Sequence, residues 1–205
     1  FDENWLSLWK AADSKATAVV TNSLSAKTLT GQRVAVDVWN HATDADQIFI
    51  AASWPVRHVE AYAPTRTGLR TLGNRGANGI DGLISSAWGS ALTSSARTYL
   101  LIGDIAFLHD ASGLNVSDSD TKPNLTIVVS DNDGSGIFGQ LEQGASEYAQ
   151  HYERVFGTPH GKDLWVIAES YGVAAQRVTT ADELERALVI RSEEHTSELQ
   201  SLAYL

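Results

Sequence analysis

The run Tyr99-Leu-Leu-Ile102 breaks into Gly103-Asp104, and Leu125-Thr-Ile-Val-Val129 breaks into Asp131-Asn132-Asp133-Gly134. Short apolar runs bounded by turn-forming residues read as buried strands. Each strand therefore ends by presenting a side-chain oxygen where the chain leaves the sheet. Asp104 and Asn132 lie 28 residues apart, enough for a helix and a return strand, so both are expected at the carboxyl edge of neighbouring parallel strands. Open α/β sheets bind their ligands at that edge.

The oxygen set suits one hard cation. Magnesium favours near-octahedral oxygen coordination and is usually held by one or two carboxylates together with phosphate oxygens and water. Asp104 offers a carboxylate, Asn132 an amide oxygen and Gly134 a backbone carbonyl, which leaves positions for a diphosphate and a water. Taken singly, Gly-Asp and Asp-Asn-Asp-Gly are ordinary turn sequences, because Gly, Asn and Asp favour turns for local conformational reasons. Their weight comes from standing at two strand ends at this separation.

Working outward, the pattern alternates strands and helices. Gln47 to Ala51 reads as a third buried strand. Ser25 to Trp39, Asp81 to Ser95, a short stretch near Phe107, Leu164 to Tyr171 and Ala181 to Ile190 read as helices, and Ser112 to Asn124 as a surface loop. This predicts an α/β fold, a parallel sheet with helices on both faces. Phe1 to Val20 has the three-and-four apolar spacing of an amphipathic helix, with Trp5, Leu6, Leu8, Trp9, Ala12, Ala16 and Val19 on it. There is no internal repeat.

With 205 residues, 43% hydrophobic and 20% charged, the composition is globular. No apolar run approaches the roughly 20 residues that span a bilayer, and no secretory leader is evident, so a cytoplasmic protein with no integral membrane segment is expected. A net charge of −10 argues against nucleic acid as a partner. The absence of cysteine excludes disulfides and thiolate metal sites.

The Gly103-Asp104 and Asn132 pair resembles the cofactor signature of thiamine diphosphate enzymes. Four blocks in order narrow the likeness: Asn74 to Gly82, Gly103 to Asp110, Asn132 to Phe138, and Phe156-Gly-Thr-Pro-His160. Together they resemble the menaquinone-pathway 2-succinyl-5-enolpyruvyl-6-hydroxy-3-cyclohexene-1-carboxylate synthase family. The likeness implies a thiamine diphosphate-binding domain, of the type that holds the diphosphate, over 24–190. It implies thiamine diphosphate and Mg2+, or Mn2+, as cofactors, 2-oxoglutarate and isochorismate as substrates, and a homodimer or homotetramer.

Carried over block by block, Asp104, Asn132 and the Gly134 carbonyl are implied as metal ligands. Gly79, Ile80, Gly103, Ile105 and Ile137 join them in the implied cofactor contacts, with Ile80 the bulky residue that bends the cofactor. Ser53-Trp-Pro-Val-Arg57 matches the family's Ser-x-x-x-Arg element and Arg75 lies in the first block. Guanidinium groups suit carboxylates because they donate paired hydrogen bonds, so Ser53, Arg57 and Arg75 are the candidate substrate residues, with Phe138 and Leu141 in an apolar wall. A lone arginine is more often a solvated surface residue. Asn132 is Asp in some relatives, which keeps a ligand but alters the charge. The glutamate that acts on the aminopyrimidine in these enzymes has no counterpart here, so no catalytic residue is expected in this chain. That group is expected from a pyrimidine-binding domain that lies N-terminal in the family and from a second subunit.

His109 and His160 sit in the blocks, and histidine is a common acid–base residue. His109 reads as a structural residue facing the sheet, and His160 ends a proline-containing turn near the site. The chain opens at Phe1 without a methionine, and 1–23 is expected to be the tail of a preceding domain. Arg191-Ser-Glu-Glu-His-Thr-Ser-Glu-Leu-Gln-Ser201 resembles the translation of a short-read sequencing adapter, so 191–205 are expected to stand outside the fold. Two other readings stay open: another thiamine diphosphate enzyme, such as an acetohydroxyacid synthase or 2-oxo-acid decarboxylase, and a noncatalytic module binding a magnesium diphosphate.

Overall fold

The two strand runs that end in Asp104 and Asn132 become neighbours at the centre of one parallel sheet. The computed structural model describes residues 3–26, 28–74, 76, 79–117, 119–193 and 200–204. Its strands are β1 (Gln47–Ile50), β2 (Arg70–Leu72), β3 (Thr98–Gly103), β4 (Leu125–Ser130), β5 (Ala174–Val178) and β6 (Gln200–Tyr204). They stand in the order β2-β1-β3-β4-β6-β5, every neighbouring pair parallel. The α-helices are α1 (Glu3–Leu24), α2 (Gly31–His41), α3 (Trp54–Tyr62), α4 (Leu83–Leu92), α5 (Asp104–His109), α6 (Ala149–Tyr152), α7 (Leu164–Ser170) and α8 (Ala181–Glu193).

Successive strand residues point to opposite faces, and both faces are covered as the continuous apolar runs predict. On one face Leu100, Ile102, Ile127 and Val129 pack with Leu83, Ile84 and Ala87 of α4 and with Leu164 and Ala168 of α7. On the other, Ile48, Tyr99, Leu101 and Val128 pack with Val34 and Val38 of α2 and with Leu184 and Leu188 of α8. The central strands are therefore clamped, and side chains reach solvent at their ends and on the edge strands.

Several boundaries differ from the sequence reading for local reasons. The first domain helix begins at Gly31 rather than Ser25 because Thr30 caps it, its hydroxyl accepting from the Arg33 N–H at 3.2 Å. The next begins at Leu83 because Gly82 sits in the left-handed region at φ +63°. β2 and β5 lack continuous apolar runs, and their exposed residues mark them as edges of the sheet. α3 follows β1 after three residues, with Pro55 in its first turn where a missing N–H costs nothing.

The far end of the chain departs most from expectation. α8 runs on to Glu193, and 200–204 form β6, paired with β4 on one side and β5 on the other. Residues 191–205 therefore do not stand wholly outside the fold. Strand pairing uses backbone N–H and C=O groups that every non-proline residue carries, and two unpaired strand edges facing one another accept an extended segment with little regard to its side chains. At the other end α1 is an exposed helix, with Trp5 and Trp9 in contact at 6.0 Å and both more than half exposed. Among the described residues no helix is long and apolar enough to cross a membrane.

His58 shows what the packing costs in protons. It is buried under Gly31, where an added Cβ would meet its ring carbon at 2.8 Å, and it stacks on Trp54 with centroids 5.0 Å apart. Burial holds its pKa below the ordinary 6.5. Between that lowered value and 6.5 the unfolded chain binds a proton that the folded chain refuses, so this contribution is complete above pH 6.5 and is lost as pH falls below it. His58→Phe, which keeps a ring on Trp54, should flatten the acid limb of stability, measured as urea midpoints from pH 7.5 down to pH 5. An acid limb as steep as wild type would place the titration elsewhere.

Candidate functional site

β3 and β4 pair in a register that sets Gly103 opposite Ser130, so the residues that follow each strand leave the sheet side by side. Asp104 opens α5 with its side chain only 3% exposed. A buried carboxylate is costly unless donors satisfy it. Here Oδ2 accepts from the Gly134 N–H at 2.7 Å and the Asn132 N–H at 3.2 Å, while Oδ1 accepts from the Ile105 N–H at 2.7 Å. The loop after β4 is folded around the carboxylate at the end of β3.

That loop needs glycine at its turning point. Gly134 has φ +140°, and a Cβ there would collide with the Gly157 carbonyl oxygen. Next to it, the Ser135 N–H donates to that same carbonyl at 2.7 Å. Asp133, at φ +55°, accepts from the N–H groups of Gly161 and His160 at 2.7 and 3.0 Å. The Gly161 bond, with help from His160, holds its carboxyl below the ordinary 3.8. These bonds tie 131–135 to 157–161, which brings His160 inward. Its ring, 8% exposed, sets Nε2 at 3.3 Å from Asp104 Oδ2 and 3.4 Å from Asp131 Oδ1. Burial first, and then the charge of Asp104 beside it, push the Asp131 carboxyl up to about 6. Asp104, Asp131 and His160 can bring ligand atoms within 4.8 Å of one another.

The loop borders a cleft of about 890 Å³ at the carboxyl edge of the sheet. Of the residues singled out in the sequence, Gly79, Ile80, Gly103, Asp104, Ile105, Asn132, Gly134 and Ile137 line it, as do Ser53, Arg57 and Phe138. Arg57 is exposed, and its guanidinium donates to the Ser53 carbonyl at 2.8 Å. Ser53 holds φ +71°, a strained angle for a residue with a side chain and one that tends to occur at ligand sites. Phe138 leans on Phe156 at 5.6 Å.

Two of the residues read from the sequence stand apart. Leu141 is absent from the cleft lining and 52% exposed, because the tight helical turn Gly136–Gln140 ends just before it and the backbone there becomes extended. His109 does not face the sheet; it closes α5 half-exposed, 2.9 Å from Asp81 Oδ1. Arg75 lies outside the described residues. Conversely, Trp54, His58 and Gln32 line the cleft without any motif having marked them. Trp54 lies inside the Ser-x-x-x-Arg spacing, so its nearness to Ser53 and Arg57 was the available signal.

The donors suit a metal diphosphate. All are hard oxygens: the Asp104 carboxylate, the Asn132 amide and the Gly134 carbonyl, with no thiolate in the chain. Residues 52–196 match the family described as thiamine pyrophosphate enzyme, C-terminal TPP binding domain. The chain belongs to this family.

Relatives within it are close. The chain is 45% identical over 180 residues to a 2-succinyl-5-enolpyruvyl-6-hydroxy-3-cyclohexene-1-carboxylate synthase of Nocardia farcinica, a match covering 87% of this chain and 33% of the relative. Synthases of the same name from Rhodococcus erythropolis and Saccharopolyspora erythraea are 44% and 40% identical, over 87% and 91% of this chain and 34% of each relative. The chain thus spans about a third of the length of the curated relatives it matches. A crystal structure of a chain assigned as a thiamin diphosphate-dependent enzyme from Mycobacterium smegmatis superposes with TM-score 0.65 at 18% identity, over 86% of this chain and 31% of that one. The α/β expectation and the family resemblance both hold.

For this thiamine diphosphate-binding domain the loop geometry gives a direct expectation. Gly134→Ala forces a side chain into a left-handed backbone and against the Gly157 carbonyl, and the backbone strain alone should lower stability by about 1–3 kcal/mol. Urea denaturation reads it. Wild-type stability in the variant would mean that the loop does not hold this conformation in solution.

Proposed function

We propose that this domain is the diphosphate-holding part, over 24–190, of a synthase that decarboxylates 2-oxoglutarate and adds the resulting four-carbon unit to isochorismate, with thiamine diphosphate and Mg2+ or Mn2+. What supports the reading is the backbone cradle around Asp104 at the β3 and β4 ends, in a chain 40–45% identical to synthases of that name.

When bound, thiamine diphosphate supplies stabilisation of the charge released as a 2-oxo acid loses carbon dioxide. This chain's residues orient and shield. Asp104, the Asn132 amide and the Gly134 carbonyl would hold the metal, and Gly79, Ile80, Gly103, Ile105 and Ile137 would contact the cofactor. Ile80, Ile137 and Phe138 give the cleft apolar surface that excludes water. Arg57 at the cleft, with Ser53, would take a substrate carboxylate, because a guanidinium pairs its donors with the two carboxylate oxygens. Arg75 joins them by its place in the matching block.

No residue here corresponds to the carboxylate that acts on the aminopyrimidine. The reading therefore includes a pyrimidine-binding domain, a partner subunit in a homodimer or homotetramer, and a cytoplasmic location. The exposed apolar side chains of α1 are of the kind that a neighbouring domain covers.

Calorimetry tests the metal assignment. Asp104→Ala should abolish Mg2+-dependent thiamine diphosphate binding, since it removes the fixed anionic ligand of a hard cation, and Asn132→Ala should weaken it less. Equal affinity in wild type and Asp104→Ala would sink the assignment. A second expectation concerns turnover: the 205 residues alone should bind the cofactor weakly and release no carbon dioxide from 2-oxoglutarate. Turnover at an enzyme-like rate would overturn the two-domain reading.

A further inference from the structure

We infer that His160 is a positioning residue for Asp104: its ring N–H, set between the Asp104 and Asp131 carboxylates, steadies Asp104 in the orientation that leaves Oδ1 free to meet a metal. The inference rests on the metal reading above and adds a residue to it.

The imidazole is itself held at several points. The Asp133 carboxylate accepts the His160 backbone N–H at 3.0 Å, and the Lys162 N–H donates to Nδ1 at 3.0 Å. The Asp133 carboxylate also lies 3.7 Å from Nδ1, beyond hydrogen-bond length. A ring nitrogen that accepts a hydrogen bond carries no proton, so the ring proton belongs to Nε2. That nitrogen faces Asp104 Oδ2 at 3.3 Å and Asp131 Oδ1 at 3.4 Å, and all three side chains are at most 8% exposed. The geometry makes Nε2–H a donor aimed at two carboxylates that would otherwise repel one another.

Counting donors on Asp104 gives the consequence. Oδ2 faces three, from Asn132, Gly134 and His160, whereas Oδ1 takes one, from Ile105. A carboxylate oxygen has about two lone-pair sites, so Oδ2 is filled from inside the protein and Oδ1 keeps room for a cation. Removing Nε2–H leaves Oδ2 with its two backbone donors and leaves Asp131 unscreened against Asp104. The backbone donors still occupy Oδ2, but repulsion from Asp131 then pulls against them, and the carboxylate is held less firmly in the orientation that presents Oδ1.

The test measures Mn2+ affinity of the 205-residue chain by electron paramagnetic resonance with saturating thiamine diphosphate, for wild type, Asp104→Ala, His160→Ala and His160→Gln. His160→Ala should weaken Mn2+ binding about 10- to 100-fold, the usual effect of losing a partner behind a metal ligand. His160→Gln, whose amide N–H can stand in for Nε2–H, should recover most of that loss. Loss in Asp104→Ala with none in His160→Ala overturns the inference and leaves the metal reading standing, as does equal loss in His160→Ala and His160→Gln. Equal binding by wild type and Asp104→Ala overturns the metal reading and the inference with it. A nitrogen–proton correlation spectrum of the wild-type imidazoles, which needs no variant to fold, should show the His160 proton on Nε2. A proton on Nδ1 would refute the inference directly.

Discussion

A carboxylate buried at the end of a strand has to be surrounded by donors, and the rest of this structure can be understood as the means of surrounding Asp104. Two of its donors are backbone groups of the loop that follows the neighbouring strand. They reach it because Gly103 stands opposite Ser130. A slip of one residue would carry 131–134 away from Asp104 and turn every side chain of the strand to the other face. The register is fixed by burial on both faces, where β3 and β4 interleave with helices above and below. Core packing and site chemistry are thus one constraint seen from two sides.

What could be read in the sequence was what depends on short stretches. Leu125 to Val129 is apolar but for Thr126 and β-branched after its first residue, therefore visible as a buried strand, and Asp104 and Asn132 are visible because they follow such strands. β5 was hidden because Ala174-Ala-Gln-Arg-Val178 mixes apolar and polar residues at the sheet's edge. The site was legible to the same extent. Eleven of the thirteen candidate residues line the cleft, since most of them stand just after the end of a strand. The contacts of His160 were not legible, because they depend on how 157–161 fold back over a loop nearly thirty residues earlier. Leu141 failed for a similar reason: one tight helical turn decides where its side chain goes, and spacing alone does not reveal that turn.

The charge distribution around the cleft favours a cation. Among the described residues lining the cleft, Arg57 is the one Lys or Arg, against the carboxylates of Asp104, Asp131 and Asp133. Other arginines are engaged elsewhere: Arg33 with Asp37, Arg66 with Asp44 and Arg97 with Asp46. A polyanionic ligand entering such a cleft meets net negative charge unless a divalent ion intervenes. Metal and diphosphate are suited to arrive together, each making the other acceptable to the protein.

β6 carries a consequence for the time course of folding. Among the described residues the ladder of β5 is made with β6 alone, and β6 in turn bridges to β4. A ribosome delivers β5 more than twenty residues before the segment that will join it to the sheet. Until then β5 has backbone groups to pair and no strand beside it, while β1, β3 and β4 can already assemble. Completion of the sheet therefore waits on late-emerging chain, and a nascent chain stalled before residue 200 would expose two facing strand edges to whatever extended peptide is nearby.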